Sequence, residues 1–106
     1  MKKMILIAVM LSGAAHAEFK DGNKLYQQMN EGGNDWFNAI GYVTGVADSL
    51  RGVTHCAPST ATAGQIFDMV KLHLQSNPST RHATGDAIIS YVLSYTWPCP
   101  KKGNGV

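Results

Sequence analysis

Cys56 and Cys99 are the only cysteines in a chain of 106 residues, and what they can do depends on where the chain is delivered. Met1-Lys2-Lys3 gives a short positive start, Met4 to Leu11 is an unbroken apolar run, and Ala15-His16-Ala17 has the small-x-small pattern that a signal peptidase cleaves. As a helix the run would reach only about 12 Å, against ~30 Å of hydrocarbon in a bilayer, so it suits a cleaved leader and not an anchor. No cysteine follows it, which excludes a lipoprotein. Residues 1–17 are therefore expected to be removed, leaving residues 18–106 as a single domain in an oxidising compartment. There, two cysteines most simply pair with each other. A link between Cys56 and Cys99 would close a loop of about 44 residues and contribute roughly 4 kcal/mol in the chain-entropy model. In so short a chain that is a large share of the total stability. A reactive thiol, a bridge to another molecule and metal ligation remain the other uses open to the two thiols.

Removing the leader also resets the charge. Lys2 and Lys3 are the whole excess of 9 basic over 7 acidic residues, so the mature chain is formally neutral. Its longest basic run is Lys101-Lys102. Such a chain lacks the electrostatic footprint of a protein that binds nucleic acid or an anionic membrane surface. A hydrophobic fraction of 44% with 15% charged residues belongs to a folded domain and not to a disordered one.

Turn clusters divide the mature chain into helical segments. Asp21 to Glu31 places Leu25 and Met29 at i, i+4, with Asn23 as a candidate cap. Gly32-Gly33-Asn34 closes that segment and Asp35 is placed to cap the next, in which Trp36, Ile40, Val43, Ala47 and Leu50 recur at helical steps until Gly52. Thr62 and Gln65 form a capping box ahead of a third segment, with Ile66, Met69, Val70, His73 and Leu74 on one face. Asn77-Pro78 ends it, since the residue before proline avoids the helical region. Ser79 to His82 can add one further turn. A last helix is expected from Thr84 to about Tyr95, with Ile88, Tyr91, Val92 and Tyr95 on one face. Its β-branched residues would suit a strand, but eleven residues without a turn signal favour a helix. The fold class expected is all-α, a bundle of about four or five helices stapled by one disulfide.

Gly41 and Gly45 inside the second segment need a reason, because each glycine in a helix interior costs about 0.8–1 kcal/mol relative to alanine. Close approach of another backbone is the usual one, either from within the fold or from a second subunit. Chemistry is harder to find. His55-Cys56 looks like a base beside a nucleophile, but a cysteine held in a disulfide attacks nothing. His55, Cys56, His73, His82 and Cys99 show no metal-ligand spacing. Asp48 and Asp68 fall on different helices, so no carboxylate pair can be argued, and Asp48 with Arg51 reads as a local ion pair. No enzyme activity, cofactor or metal is expected.

Five strings occur in order along residues 36–100: Gly41-Tyr42-Val43-Thr44-Gly45-Val46-Ala47-Asp48-Ser49-Leu50, Cys56-Ala57-Pro58, Thr62-Ala63-Gly64-Gln65, Asn77-Pro78 with Arg81-His82, and Trp97-Pro98-Cys99. Together they resemble the Tai/Rap family of periplasmic immunity proteins. The resemblance implies a small helical protein, exported to the periplasm, commonly a homodimer, that occludes the active site of a peptidoglycan amidase delivered by a type VI secretion system. It also implies a Cys56–Cys99 bridge. Many relatives carry a further cysteine at the position of Ala39 here, with an upstream partner. This chain has neither, so its first helix is expected to be less firmly tied down.

A binding protein without chemistry of its own works by surface complementarity. The contact candidates are the loop after Cys56, with Pro58, Ser59 and Thr60, and the turn carrying Arg81 and His82. Arg81 and His82 are as readily explained by caps or pairings inside the fold. Gly41 and Gly45 are the candidates for helix packing or a dimer contact. A different class of function is a general periplasmic stress protein resembling the small one-disulfide acid chaperones, with no cognate toxin.

Overall fold

Asp21 opens the helical part of the chain by accepting the Lys24 backbone N–H at 2.8 Å, a side-chain cap for a donor the helix cannot satisfy itself. The computed structural model, which describes residues 20–101, contains helix α1 (Gly22–Asn30), α2 (Asn34–Leu50), α3 (Ala63–Ser76), a 3-10 turn (Pro78–Thr80) and α4 (Gly85–Thr96). The expected leader, residues 1–17, and the end of the tail, 102–106, lie outside the described residues. The all-α class holds, with Cys56 and Cys99 bonded to each other across 43 positions of sequence.

Two helix starts differ from the sequence reading. The first cap is Asp21 and not Asn23, because the Gly22 and Asn23 N–H groups are taken by the Ala83 and Arg81 carbonyls, both at 2.9 Å. Tertiary pairing therefore sets where α1 begins. Asp35 does not cap α2; Gly33 does, at φ 63°, and Asp35 sits in the first turn, where its charge suits the helix dipole. The other signals act as expected. Thr62 and Gln65 make the reciprocal capping box of α3, and Gly52 takes φ 80° just past the end of α2, a conformation that favours glycine.

The core draws on all four helices: Leu25 and Met29, then Ala39, Val43 and Ala47, then Ile66, Phe67, Val70 and Leu74, then Ile88, Ile89, Val92 and Leu93. Helix α2 contacts each of the other three, and its buried face is narrow enough for that because two of its three buried residues are alanine. Close approach on α2 thus runs through Ala39 and Ala47. The glycines do the opposite of what packing within the fold requires: Gly41 and Gly45 are exposed, with open space where a Cβ would stand. The last helix is also turned from its expected face. Tyr91 and Tyr95 stand outside it, while Ile89 and Leu93 take the interior. Aliphatic side chains fill a dry core without a hydroxyl to satisfy, and a tyrosine keeps its hydroxyl wet.

The first helix is firmly held, contrary to the expectation from the missing cysteine. The extended residues beside it form an antiparallel bridge, Asp21 to Thr84, and Gly85 N–H donates to the Lys20 carbonyl at 2.8 Å. The Lys20 ammonium donates to Gln28 of α1 and Asn38 of α2 and lies 4.8 Å from the ring centroid of Tyr42. Burial and then neighbouring Lys24 hold the Lys20 pKa below its usual value, with Asp35 opposing. Its acceptors are neutral amides, so among the described residues hydrogen bonding positions the cation without a counter-charge in contact. Tyr42 is pushed the other way, its pKa raised by burial and then by the Asp86 charge.

Two kinds of glycine follow from these contacts. A Cβ on Gly85 would fall 2.8 Å from the Tyr42 ring. Gly85→Ala should therefore destabilise the protein by about 1–3 kcal/mol through overpacking. Gly41→Ala and Gly45→Ala should each stabilise the monomer by up to about 1 kcal/mol through helix propensity. Urea unfolding of the three variants checks this, and a loss of monomer stability in G41A or G45A would contradict the open geometry.

Candidate partner-binding surface

Between α2 and α3 the chain makes a turn and then a loop, and nearly every fixed point in it comes from one short stretch. Val53 and Thr54 N–H groups both reach back to the Leu50 carbonyl, at 2.9 and 3.0 Å, and Gly52 N–H donates to the His55 carbonyl at 2.7 Å. Cys56 is bonded to Cys99 with a Cα–Cα distance of 4.8 Å, and its N–H donates to the Trp97 carbonyl at 2.8 Å. The loop is thus joined to the end of α4 by a covalent bond and a hydrogen bond at the same residue. Ala57 is buried, whereas Pro58, Ser59 and Thr60 are exposed. Ala61 N–H closes that tripeptide onto the Pro58 carbonyl at 3.0 Å, and the Thr62 cap begins α3 immediately afterwards. The result is a short exposed edge held at both ends.

Val53 extends this edge. It is 71% exposed, an apolar side chain in solvent on the turn bonded to His55. A single valine in a turn carries no periodic signal, so nothing in the sequence marks it out. In sequence His55 suggests only a base beside a thiol or a metal ligand. In the fold it is fully buried, with its Nε2 2.8 Å from the Ala47 carbonyl and its Nδ1 3.1 Å from the Ala57 amide nitrogen.

The second contact candidate is placed elsewhere. Arg81 and His82 follow the 3-10 turn at the far end of α3, about 20 Å along that helix from the Pro58–Thr60 edge. The two segments therefore do not form one patch. Arg81 is also engaged inside the fold: its Nε donates to the Leu74 carbonyl at 2.7 Å, and its guanidinium lies 4.1 Å from the centroid of the Tyr26 ring. It ties the end of α3 to α1. His82 is exposed beside it.

A groove of about 300 Å³ adjoins the same turn, lined by His73, Asn77, Thr80, Ala83, Ala87, Ile88 and Tyr91. The His73 and Tyr91 rings stand 5.5 Å apart, and the Asn77 amide donates to the His73 carbonyl at 2.9 Å. A single imidazole there meets a phenol and an amide. Among the described residues, no three His, Cys, Asp or Glu side chains converge as a metal site, and no helix is long and apolar enough to cross a membrane. Asp48 and Arg51 meet through the backbone, where Arg51 N–H donates to the Asp48 carbonyl at 3.4 Å.

These features define a class: a small disulfide-pinned helical domain that presents a stiff exposed loop. The chain matches the Rap1a immunity proteins over residues 21–99, and it belongs to that family. No individual curated protein matches it. The matched span begins at the Asp21 cap and ends at Cys99, so it takes in every helix among the described residues and both ends of the disulfide. Membership in the family implies an immunity role towards a type VI effector.

Arg81→Ala should lower stability by about 2 kcal/mol, from a charged hydrogen bond and a cation–π contact, and the melting temperature by about 10 °C. Calorimetry checks this. An unchanged melting temperature would release Arg81 from its internal role and return it to the contact candidates.

Proposed function

We propose that the mature chain, exported to the periplasm and cleaved after Ala17, binds a peptidoglycan amidase effector and occludes its active-site cleft with the edge formed by Pro58, Ser59 and Thr60, flanked by Val53. The observation that carries the choice of edge is three consecutive exposed residues held at both ends by the disulfide and the α3 cap. Such an edge loses little freedom on binding, and ordering costs are what most often separate weak from tight association. Family membership supports the immunity role. Inhibition of this kind asks for no reactive group from the inhibitor, only shape and exclusion of substrate. His82 remains a contact for a partner large enough to reach along α3.

A homodimer is part of the same proposal, through the open face of α2. Phe37 is 67% exposed, and it lies four residues before Gly41 as Gly45 lies four after. About a two-fold axis at Gly41, two antiparallel copies of α2 would set each Phe37 over the partner's Gly45. An isologous contact of this form is self-complementary.

Two experiments test these parts separately. Tagged mature protein should recover an amidase from periplasmic extract and inhibit its release of peptide from peptidoglycan. Ser59→Glu and Thr60→Glu should weaken that inhibition by about tenfold or more with unchanged helicity. Failure to inhibit any recovered amidase sinks the function, and full inhibition by both variants sinks the edge. In sedimentation equilibrium the wild type should weigh two chains and Gly45→Leu one, and a monomeric wild type at high concentration refutes the dimer.

A further inference from the structure

His55 is fully buried, and its two neighbours fix which nitrogen carries its hydrogen. The Ala47 carbonyl, 2.8 Å from Nε2, can only accept, so Nε2 is the protonated nitrogen. The Ala57 backbone amide, 3.1 Å from Nδ1, can only donate, so Nδ1 presents its lone pair. One imidazole thereby serves two elements with opposite demands, which a neutral ring can meet in only one of its two tautomers.

Both partners are groups the backbone would otherwise leave short. Ala47 lies in the last turn of α2. The helical donor for its carbonyl would be Arg51 N–H, which goes instead to Asp48. The imidazole therefore supplies a C-terminal cap from the following loop. Ala57 N–H is the last backbone donor before the exposed edge, because Pro58 has none. The direction of that amide sets the direction in which the chain leaves the disulfide.

We infer that His55 is a positioning residue for the Pro58–Thr60 edge, holding it through Ala57 while Nε2 anchors the ring to α2. This rests on the reading of that edge as the partner contact. The anchor is separate from the disulfide: Cys56 fixes where the loop starts, and the Nδ1 contact fixes how Ala57 is turned. A histidine that merely filled the core would need neither nitrogen in a given state.

The two contacts can be separated by substitution in the full-length, disulfide-intact mature protein. His55→Gln keeps an amide donor within reach of the Ala47 carbonyl and gives up the acceptor for Ala57. His55→Asn keeps an oxygen near the Nδ1 position and gives up the bond to α2. Amide exchange followed by NMR should show Ala57 exchanging about tenfold faster in H55Q and near the wild-type rate in H55N. Inhibition of the amidase recovered by the wild type should follow the same split. Nitrogen spectra of the wild-type imidazole should show a protonated Nε2 and a bare Nδ1, a readout that survives even if a variant fails to fold. A protonated Nδ1, or an Ala57 rate equal in wild type and H55Q, overturns the inference. If S59E and T60E inhibit normally while Ala57 still separates H55Q from H55N, the docking edge is wrong and the control of the loop by His55 stands.

Discussion

The bond between Cys56 and Cys99 joins the loop after α2 to the short segment that follows α4, and the arrangement of the other parts depends on that closure. Helix α2 is the central element of the bundle, and it buries alanine twice and valine once. Small side chains let three helices approach α2 closely, but they remove little apolar area from water each. A covalent tie contributes without any burial, by limiting the freedom of the unfolded chain. It also falls where the chain has least secondary structure, and the Cys56 N–H to Trp97 bond aligns the two backbones there. A loop on a bundle is ordinarily its loosest part. Here it is among the most constrained.

The helices that could be read from sequence were those whose boundaries are set by neighbours in the chain. Thr62 and Gln65 satisfy each other's backbone, Asn77 precedes a proline, and Gly52 supplies a left-handed residue; all three act within a few positions and need no knowledge of the fold. Asp21 prevailed over Asn23 for a different reason. The donors just after it pair with Arg81 and Ala83, far along the chain, and no local pattern contains that. The face of α4 was misjudged because aliphatic and aromatic residues surround most of that helix. Periodicity cannot choose a side when nearly every side is apolar. Phe67 entered the core unannounced for a similar reason, standing one residue from a stripe that was already complete.

The candidate surface was legible in outline only. Two cysteines behind a leader-like N-terminal pattern are enough to suggest the pin. Val53 and the two roles of His55 were hidden, since a buried histidine declares itself through the carbonyl and the amide it meets in space. Arg81 was open to both a partner contact and a pairing inside the fold, and the structure shows the pairing. An arginine beside an exposed histidine looks available to a partner, yet a backbone carbonyl and a tyrosine ring already occupy it. Of the two uses open to the glycines, close approach within the fold is not what Gly41 and Gly45 show. Among the described residues, Gly41 and Gly45 have open space where a Cβ would stand, and no packing contact there accounts for them.

The absence of a second disulfide raises the question of what holds the first helix in its place. Lys20 and its neighbours answer it with many weak contacts: the bridge from Asp21 to Thr84, the backbone bonds to Ala83 and Arg81, and an ammonium shared between two amide oxygens and a ring. Each is worth little alone, since a neutral hydrogen bond nets about 1 kcal/mol. They act together because all are formed by the four residues from Lys20 to Asn23, so ordering that short segment once satisfies them all. A covalent bridge limits the unfolded ensemble, whereas this set stabilises only the native one. The difference matters for a binding protein. The Pro58–Thr60 edge is tied to the disulfide and to α2, and α1 is tied to α4, to the turn before it and to α2; α2 is therefore the element through which loosening at α1 would reach the edge.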